Sequence, residues 1–269
     1  MNPPLLGNGK ALIGVVHLLP LPGSPMWRGD MQPVLERARR EAGILASEGA
    51  AGIIVENFGD VPFHPGPVGP ETVAAMTLAV GAVMDAVDVS VGINVLRNDP
   101  RSAIAIAAAT GAHFVRANVH YGAMVADEGV VQGTAHDTLR FRRTLGVQER
   151  VKLFADVMVK HAAPLGTDDA AHVARETVLR GLADALIVTG SATGVSASVE
   201  ELKTVREAAP PGVPVLVGSG VDEDNAAALL EYADGAIVGT SLKVDGMVSN
   251  PVDPQRVRRV ARRFQSLPA

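Results

Sequence analysis

The sequence predicts an α/β protein that is a single (βα)8 TIM barrel, and three observations support this fold class. Eight short apolar runs alternate with helical windows along 269 residues, and about 250 residues is typical of one such barrel. The last two runs each end in a small-residue turn, Val217-Gly218-Ser219-Gly220 and Val238-Gly239-Thr240-Ser241. Backbone N–H groups after the last strands of this barrel commonly hold a phosphate. An open doubly wound sheet shares the alternation, but the final pair of turns favours closure.

The predicted strands are short runs rich in Val, Ile, Leu and Ala that end near Gly, Asn, Asp or Pro. In chain order they cover residues 11–17, 51–56, 89–95, 113–119, 150–156, 184–189, 213–218 and 235–239. The predicted helices have helical spacing of apolar residues or are rich in alanine. They cover residues 32–48, 71–86, 99–110, 135–145, 168–181, 198–209, 222–232 and 254–265.

Residues that favour helix starts precede or open most of these helical windows. Examples are Pro33, Asp99-Pro100, Ser198 and Asp253-Pro254. No low-complexity linker interrupts the series, so we expect one domain that spans residues 1–269.

Composition argues against several classes of function. The net charge is −5 and aromatic residues make up only 3% of the chain, which disfavours nucleic acid as the main partner. We interpret the arginine cluster at 256–263 as a solvated helix face. The absence of cysteine excludes disulfides, cysteine nucleophiles and thiolate metal sites.

Localisation is predicted from what the N-terminal and apolar segments lack. The N-terminus does not have the order of charge, apolar run and cleavage site of a signal peptide. No apolar stretch reaches the about 18 residues of a membrane span. We therefore expect a cytoplasmic protein without a transmembrane segment. Peripheral membrane association stays open, because a docking site need not leave a hydropathy signal, and a homo-oligomer stays open as well.

Polar residues share the inward-facing parity near the ends of several predicted strands. Alternate strand residues face the barrel interior, and barrel enzymes keep their chemistry at the carboxyl ends of the strands. The sequence therefore predicts a polar mouth made of these side chains: His17, Glu56, Asn94, Arg116, Asn118, Asp156 and Thr189. All of them except Thr189 are candidate catalytic residues, and Lys152, which shares a strand face with Asp156, is another.

A structural interpretation of the same residues is also open. Glu56 and Asp156 are able to form buried ion pairs with Arg116 and Lys152 that only hold the mouth together, and an inward histidine is often structural. Yet buried charges are costly unless they are paired, so a polar set of this size favours ligand binding. No metal-binding motif is present and no cofactor is expected, although a divalent cation between Glu56 and Asp156 is an alternative.

The small-residue turns predict a phosphate site at the carboxyl ends of the last three strands. Their N–H and hydroxyl groups are the expected donors to the anion. The predicted residues are Thr189, Gly190, Gly218, Ser219, Gly220, Gly239, Thr240 and Ser241. The turn at 189–194, which includes Ser191, Ala192 and Thr193, is alternatively a mobile lid.

Several segments resemble the BtpA/SgcQ family. The resemblance rests on the runs at 14–25, 55–63, 92–99, 114–119 and 152–157, and continues through Lys160-His161-Ala162, Val188-Thr189-Gly190 and 217–220. It therefore covers nearly the whole chain. It implies a phosphate-binding barrel whose family name derives from a role in photosystem I biogenesis, and whose other members occur in sugar-metabolism contexts. It implies no particular reaction.

Two classes of function follow. The first is an enzyme that acts on a phosphorylated sugar or related small metabolite by removing a proton beside a carbonyl group, as isomerases, epimerases and aldolases do. Glu56 or Asp156 would be the base, Asn94, Arg116 and Asn118 would stabilise the oxyanion, and Lys152 would form a Schiff base in the alternative chemistry. The second class is a non-catalytic assembly or regulatory factor that keeps the anion site.

Overall fold

The computed structural model describes residues 5–7, 9–190, 194 and 196–268, and eight of its strands form a closed parallel barrel. These strands are β1 Ala11–His17, β2 Gly52–Glu56, β3 Ser90–Asn94, β4 Phe114–Ala117, β7 Lys152–Val157, β9 Ala185–Val188, β10 Val215–Val217 and β11 Gly235–Val238. Around the barrel they follow the order β1, β11, β10, β9, β7, β4, β3, β2. The predicted TIM-barrel fold class is therefore confirmed.

Helices flank the barrel, and each overlaps a predicted window; α2 begins one residue before its window. They are α1 Gln32–Ser47, α2 Pro70–Met84, α3 Pro100–Thr110, α4 Ala135–Thr144, α5 Ala170–Leu179, α6 Val199–Ala208, α7 Ala226–Leu230 and α8 Pro254–Gln265. Side-chain caps fix several starts: Asp99 accepts from the N–H of Ser102, and Asp253 accepts from that of Gln255. None of the helices in the described residues is long and apolar enough to cross a bilayer.

A small antiparallel sheet beside the barrel was not predicted. It consists of β5 Ala123–Ala126, β6 Gly129–Gln132 and β8 Ala162–Pro164, with β5 in the centre. Strands of three or four residues carry too short an alternation to be recognised in sequence. The tip of the hairpin, Asp127-Glu128, reaches the barrel mouth, where Glu128 pairs with Arg97 across 3.7 Å.

The barrel interior is packed with apolar side chains and is not a channel. Phe114 and Phe154 stack with ring centroids 4.7 Å apart and lie among Ile54, Ile187 and Leu216. A second, larger cluster fills the space between strands and helices. Polar groups that face inward therefore gather where the strands end.

The amino ends of the strands carry a repeated ion-pair arrangement. Asp184 precedes β9 and accepts hydrogen bonds from the N–H of Leu153 and from Arg142, both at 2.7 Å. Asp234 precedes β11 and accepts in the same way from the N–H of Val215 and from Arg206. These carboxylates tie a neighbouring strand and a helix together at the end opposite the mouth.

Candidate functional site

The carboxyl ends of β1, β2 and β3 place three of the predicted residues side by side. In the parallel register, His17 pairs with Glu56, and Glu56 pairs with Asn94. Side chains at paired positions of neighbouring strands point to the same side of the sheet. The structure therefore brings these three side chains together as the parity predicts.

Arg116 is the centre of the polar mouth. Its Nε and Nη2 donate to Asp156 Oδ1 and Oδ2 at 2.8 and 2.9 Å, which makes a bidentate pair. Asn118 Nδ2 donates to the same carboxylate at 3.0 Å. Asp156 thus accepts three hydrogen bonds, which engage both of its carboxylate oxygens. We call Glu56, Asn94, Arg116, Asn118 and Asp156 the polar wall.

Glu56 is held less completely than Asp156. Its Oε1 accepts from Asn94 Nδ2 at 3.0 Å and from Arg116 Nη1 at 3.4 Å. Its Oε2 has the imidazole of His17 at 3.9 Å, beyond hydrogen-bond distance. Among the described residues, Oε1 of Glu56 is therefore bonded to two donors and Oε2 to none.

The Arg116 guanidinium keeps its positive charge in this buried site. Burial opposes the charge, but Asp156 and Glu56 outweigh that cost and raise the pKa of Arg116. A guanidinium carries five N–H groups, so those not directed at the carboxylates remain for a ligand. Arg116 also lies where the alternative of a bridging cation would put the ion, between Glu56 and Asp156. Within the described residues, no group of three or more His, Asp or Glu is arranged to hold a metal ion.

His17 joins the polar wall to the turn after β11. Burial lowers its pKa well below 6.5, and the charges of Lys243, Lys160 and Arg37 lower it further. The imidazole therefore stays neutral at pH 7. Its ring packs on Phe58 with centroids 4.5 Å apart. Its buried Nδ1 has no hydrogen-bond partner in the part of the chain that the structure describes.

A cavity of about 190 Å³ opens in front of the polar wall. Glu56, Asn94, Arg116 and Asn118 line it, together with Lys160 and the aromatic side chains of the loop after β2. Asn118 is 2% exposed, and its buried Oδ1 has no hydrogen-bond partner among the described residues. Buried polar atoms are normally satisfied, so this oxygen marks a position for a donor such as a hydroxyl group.

Lys152 does not lie at the mouth, so its prediction as a catalytic residue is wrong. It opens β7 at the amino end of the strand, its side chain is 49% exposed, and its Nζ lies 3.9 Å from Asp184. Side-chain parity gives the face of a strand but not the height along it, and Lys152 lies four residues before Asp156.

Lys160 is the lysine that the sequence reasoning missed as a site residue. It follows β7 in the connection to β8 and lines the 190 Å³ cavity. Its place in the run Lys160-His161-Ala162, four residues beyond Asp156, was the available signal.

Several groups of the predicted phosphate site already form hydrogen bonds inside the protein. The N–H of Gly190 donates to Ser219 Oγ at 2.8 Å, and that of Gly218 donates to the carbonyl of Val188 at 2.7 Å. Thr189 Oγ1 accepts from the N–H of Lys160 at 2.9 Å. In this structure these three residues organise the mouth rather than present the donors that the sequence analysis assigned to them. The other predicted lid residues, Ser191, Ala192 and Thr193, lie outside the described residues.

The remaining turn residues line a larger cavity of about 370 Å³. Gly220, Gly239, Thr240 and Ser241 form one side of it. Thr240 and Ser241 begin a 3-10 helical turn, whose first N–H groups have no acceptor within the turn itself. We call 218–220 and 239–241 the glycine turns.

Charged side chains of both signs complete this cavity. Arg256 and Arg259 of α8 line it, which the interpretation of the arginine cluster as a solvated face overlooked. Asp222, Glu223 and Asp224 line it as well, and Glu223 pairs with Arg259 at 3.2 Å. Arg256 reaches the carbonyl of Ser241 at 3.4 Å.

His17 lies between lining residues of the two cavities, Gly239 of the larger and Glu56 of the smaller. A Cβ atom on Gly239 would lie 3.0 Å from His17 Cε1, so the glycine allows the backbone of this turn to approach the imidazole. His17 in turn lies beside Glu56 of the smaller cavity. The glycine turns and the polar wall are therefore adjacent parts of one mouth.

Comparison with known proteins identifies the family. Residues 8–266 match the model of the BtpA family. The photosystem I biogenesis protein BtpA of Synechocystis is 50% identical, and the match covers 91% of this chain and 85% of the relative. An uncharacterized protein of Thermococcus kodakarensis is 46% identical, with coverage of 93% and 94%. Among solved structures, tryptophan synthase from M. tuberculosis has a similar fold, with a TM-score of 0.61, 20% identity and coverage of 96% and 94%. The chain belongs to the BtpA family.

Proposed function

We propose that the protein is an enzyme that binds a phosphorylated sugar or related small metabolite and removes a proton from the carbon beside its carbonyl group. The observation that carries this proposal is Glu56, a buried carboxylate with one oxygen bonded to Asn94 and Arg116. Its other oxygen has no hydrogen-bond donor among the residues that the structure describes. A general base needs both a fixed position and a free lone pair.

The polar wall supplies what the reaction requires after the proton leaves. Loss of the proton turns the carbonyl oxygen into an enolate oxygen, whose negative charge needs nearby donors. Arg116 lines the cavity with N–H groups beyond those that bind the carboxylates. Glu56 then returns the proton to the neighbouring carbon, and the hydroxyl proton of the first carbon passes to the enolate oxygen, which completes an isomerisation. An epimerisation instead requires that the first carbon regains a proton on its other face.

Asp156 has a different role in this proposal. Its three hydrogen bonds occupy both oxygens, and it does not line the cavity of the polar wall. It holds Arg116 and Asn118 in place for the ligand. Of the two carboxylates that the sequence offered as base, the geometry favours Glu56.

The phosphate group occupies the 370 Å³ cavity in this proposal. The first N–H groups of the turn at Thr240–Leu242, with Arg256, supply donors and positive charge. Binding at this end fixes the reacting carbon at the other end, and such orientation contributes several kcal/mol to catalysis. The acidic residues of the cavity favour a ligand that carries hydroxyl groups next to its phosphate.

The test is a screen of sugar phosphates in deuterated water, with exchange of the carbon-bound proton measured by NMR. We expect the native protein to exchange one proton of its substrate, and Glu56→Gln to lower the rate by about 10²-fold to 10⁴-fold. Phosphate affinity of the variant should stay within a few-fold of the native value. Exchange that persists at the native rate in Glu56→Gln would overturn the assignment of the base.

A second candidate is a non-catalytic assembly factor, and one surface favours it. Val125, Val130 and Leu165 are 44%, 50% and 61% exposed. Val125 pairs with Val130 in the small sheet, and Leu165 follows β8 on the other side of β5. A contiguous apolar face of this kind is typical of a protein contact. The 50% identical relative is named for photosystem I biogenesis.

Complementation distinguishes the two candidates. This chain and its Glu56→Gln variant would each replace the relative in Synechocystis, and photosystem I content would be measured. An assembly factor predicts equal restoration by both, whereas Val125→Lys should abolish it. Restoration by the native chain and not by Glu56→Gln would instead favour the enzyme.

A further inference from the structure

Lys160 lies in the mouth, in the connection between β7 and β8. It shares the lining of the 190 Å³ cavity with Glu56 and Arg116. We propose that Lys160 is the nucleophile that forms a Schiff base with the carbonyl group of the substrate. This inference rests on the proposed function and narrows the ligand to an aldehyde or ketone that carries a phosphate.

The backbone of Lys160 is fixed from both sides by buried side chains. Its N–H donates to Thr189 Oγ1 at 2.9 Å, and its carbonyl accepts from the Arg97 guanidinium. Thr189 and Arg97 are 3% and 4% exposed. Two buried polar side chains are thus committed to the position of one lysine backbone.

The residues around Lys160 adopt a conformation that the chain normally avoids. Met158 and His161 have φ angles of 54° and 57°, in the left-handed region that disfavours residues with a Cβ atom. Such backbone persists only where the surroundings hold it, and it is concentrated at functional sites. The strained connection keeps Lys160 beside the cavity.

The electrostatic surroundings favour the neutral amine that a nucleophile requires. Burial lowers the pKa of Lys160, and the charge of Arg116 lowers it further, against the opposing effect of Glu56 and Asp156. Arg97 and His161 also lie near the ammonium group.

The covalent sequence uses the groups in the mouth, the ligand and water. The lone pair of Lys160 Nζ attacks the carbonyl carbon, and the carbonyl oxygen takes one proton from the amine and a second from solvent. That oxygen leaves as water, which gives a protonated imine. Glu56 then removes the proton from the adjacent carbon, and the C–H electron pair moves toward the positive nitrogen. After the proton returns at its new position, water attacks the imine carbon and releases the product and the amine.

The test is reductive trapping with sodium borohydride. Dihydroxyacetone phosphate and pyridoxal phosphate serve as a ketone probe and an aldehyde probe. Hydride addition to the imine leaves a secondary amine, so the protein gains the mass of the probe less one oxygen atom. We expect peptide mass spectrometry to find this gain on Lys160, at least ten-fold above any other lysine, and excess inorganic phosphate to suppress it.

Two variants of matched chemistry control the result. Lys160→Arg should lose the adduct. Lys152→Arg, at the amino end of β7, should keep it. Labelling that is spread over surface lysines, or that survives in Lys160→Arg, overturns the inference.

Calorimetry with inorganic phosphate separates failure of this inference from failure of the proposed function. If phosphate binds and proton exchange proceeds while no adduct forms on Lys160, the enzyme stands without the Schiff base. If neither phosphate binding nor exchange is found, both proposals are overturned.

Discussion

The polar wall and the glycine turns face the same mouth but are built in opposite ways. In the polar wall every functional atom belongs to a side chain, and Arg116, Asp156 and Asn118 hold one another in place. In the turn after β11 the candidate donors are backbone N–H groups, and Gly239 lets the chain approach His17. Side-chain networks therefore should be sensitive to loss of charge, and backbone turns to added volume.

The largest expected effect is on the charge network. Asp156→Asn leaves the volume almost unchanged but leaves the Arg116 charge without its main partner. Breaking a buried ion pair in this way costs about 3–5 kcal/mol of the free energy of unfolding. Urea denaturation of the native and variant proteins measures the loss.

An exposed ion pair is the control for that prediction. Asp137 pairs with Arg101 at 2.9 Å, and both side chains are about half exposed. Asp137→Asn should therefore cost less than about 1 kcal/mol. A loss of similar size in both variants would show that the polar wall is not a special network.

The next effect concerns volume at the glycine turns. In Gly239→Val the new Cβ would meet His17 Cε1 at 3.0 Å and Val15 Cγ2 at 3.5 Å. The added volume therefore forces a shift of the turn that lines the 370 Å³ cavity. We expect phosphate affinity to fall at least ten-fold, or about 1.4 kcal/mol, in calorimetric titrations. Gly43→Ala, on α1 with open space around it, is the matched control and should bind normally. Equal affinity in all three proteins would contradict the assignment of the anion site.

The third effect is a pH dependence that arises between the two regions. Burial lowers the pKa of His17 below 6.5 in the folded state, so the unfolded chain binds this proton first as the pH falls. Stability from this group is complete above pH 6.5 and is lost as the pH drops toward the folded pKa. One such group changes the free energy of unfolding by at most about 1.4 kcal/mol per pH unit.

His17→Asn should therefore flatten the decline of stability below pH 6.5. The decline will not vanish, because burial also lowers the pKa of His113 and His120. Thermal melts across this pH range measure the slope, and identical slopes in variant and native protein would refute the assignment to His17.

The smallest effect is expected at Ser219. Ser219→Ala removes the acceptor of the Gly190 N–H, and a single hydrogen bond of this kind contributes about 1 kcal/mol. The rate of proton exchange by Ser219→Ala should stay within a few-fold of the native rate. The Glu56→Gln variant is the reference for a large loss of exchange. A loss of exchange comparable to that of Glu56→Gln would place Ser219 in the reaction itself.

Local sequence patterns predicted most of the barrel because its units are local. Helix starts such as Asp99-Pro100 and Asp253-Pro254, and runs such as β1, carry their signals within a few residues. The small sheet of β5, β6 and β8 was missed because its strands have only three or four residues, and because β8 pairs with β5 from about forty residues away. The hairpin of β5 and β6 brings Glu128 to Arg97, a contact that no local sequence pattern predicts.

The sequence by itself determined the fold class, the family and the parity that brings His17, Glu56 and Asn94 to one mouth. Alternation is a property of every strand, so it is readable residue by residue. Height along the barrel axis, which separates Lys152 from Lys160, depends on where each strand begins against its neighbours. The different hydrogen bonding of Glu56 and Asp156 likewise depends on which neighbouring strands the closed barrel places beside each carboxylate. Only the tertiary structure sets the distances between these side chains, because they come from strands far apart in the chain.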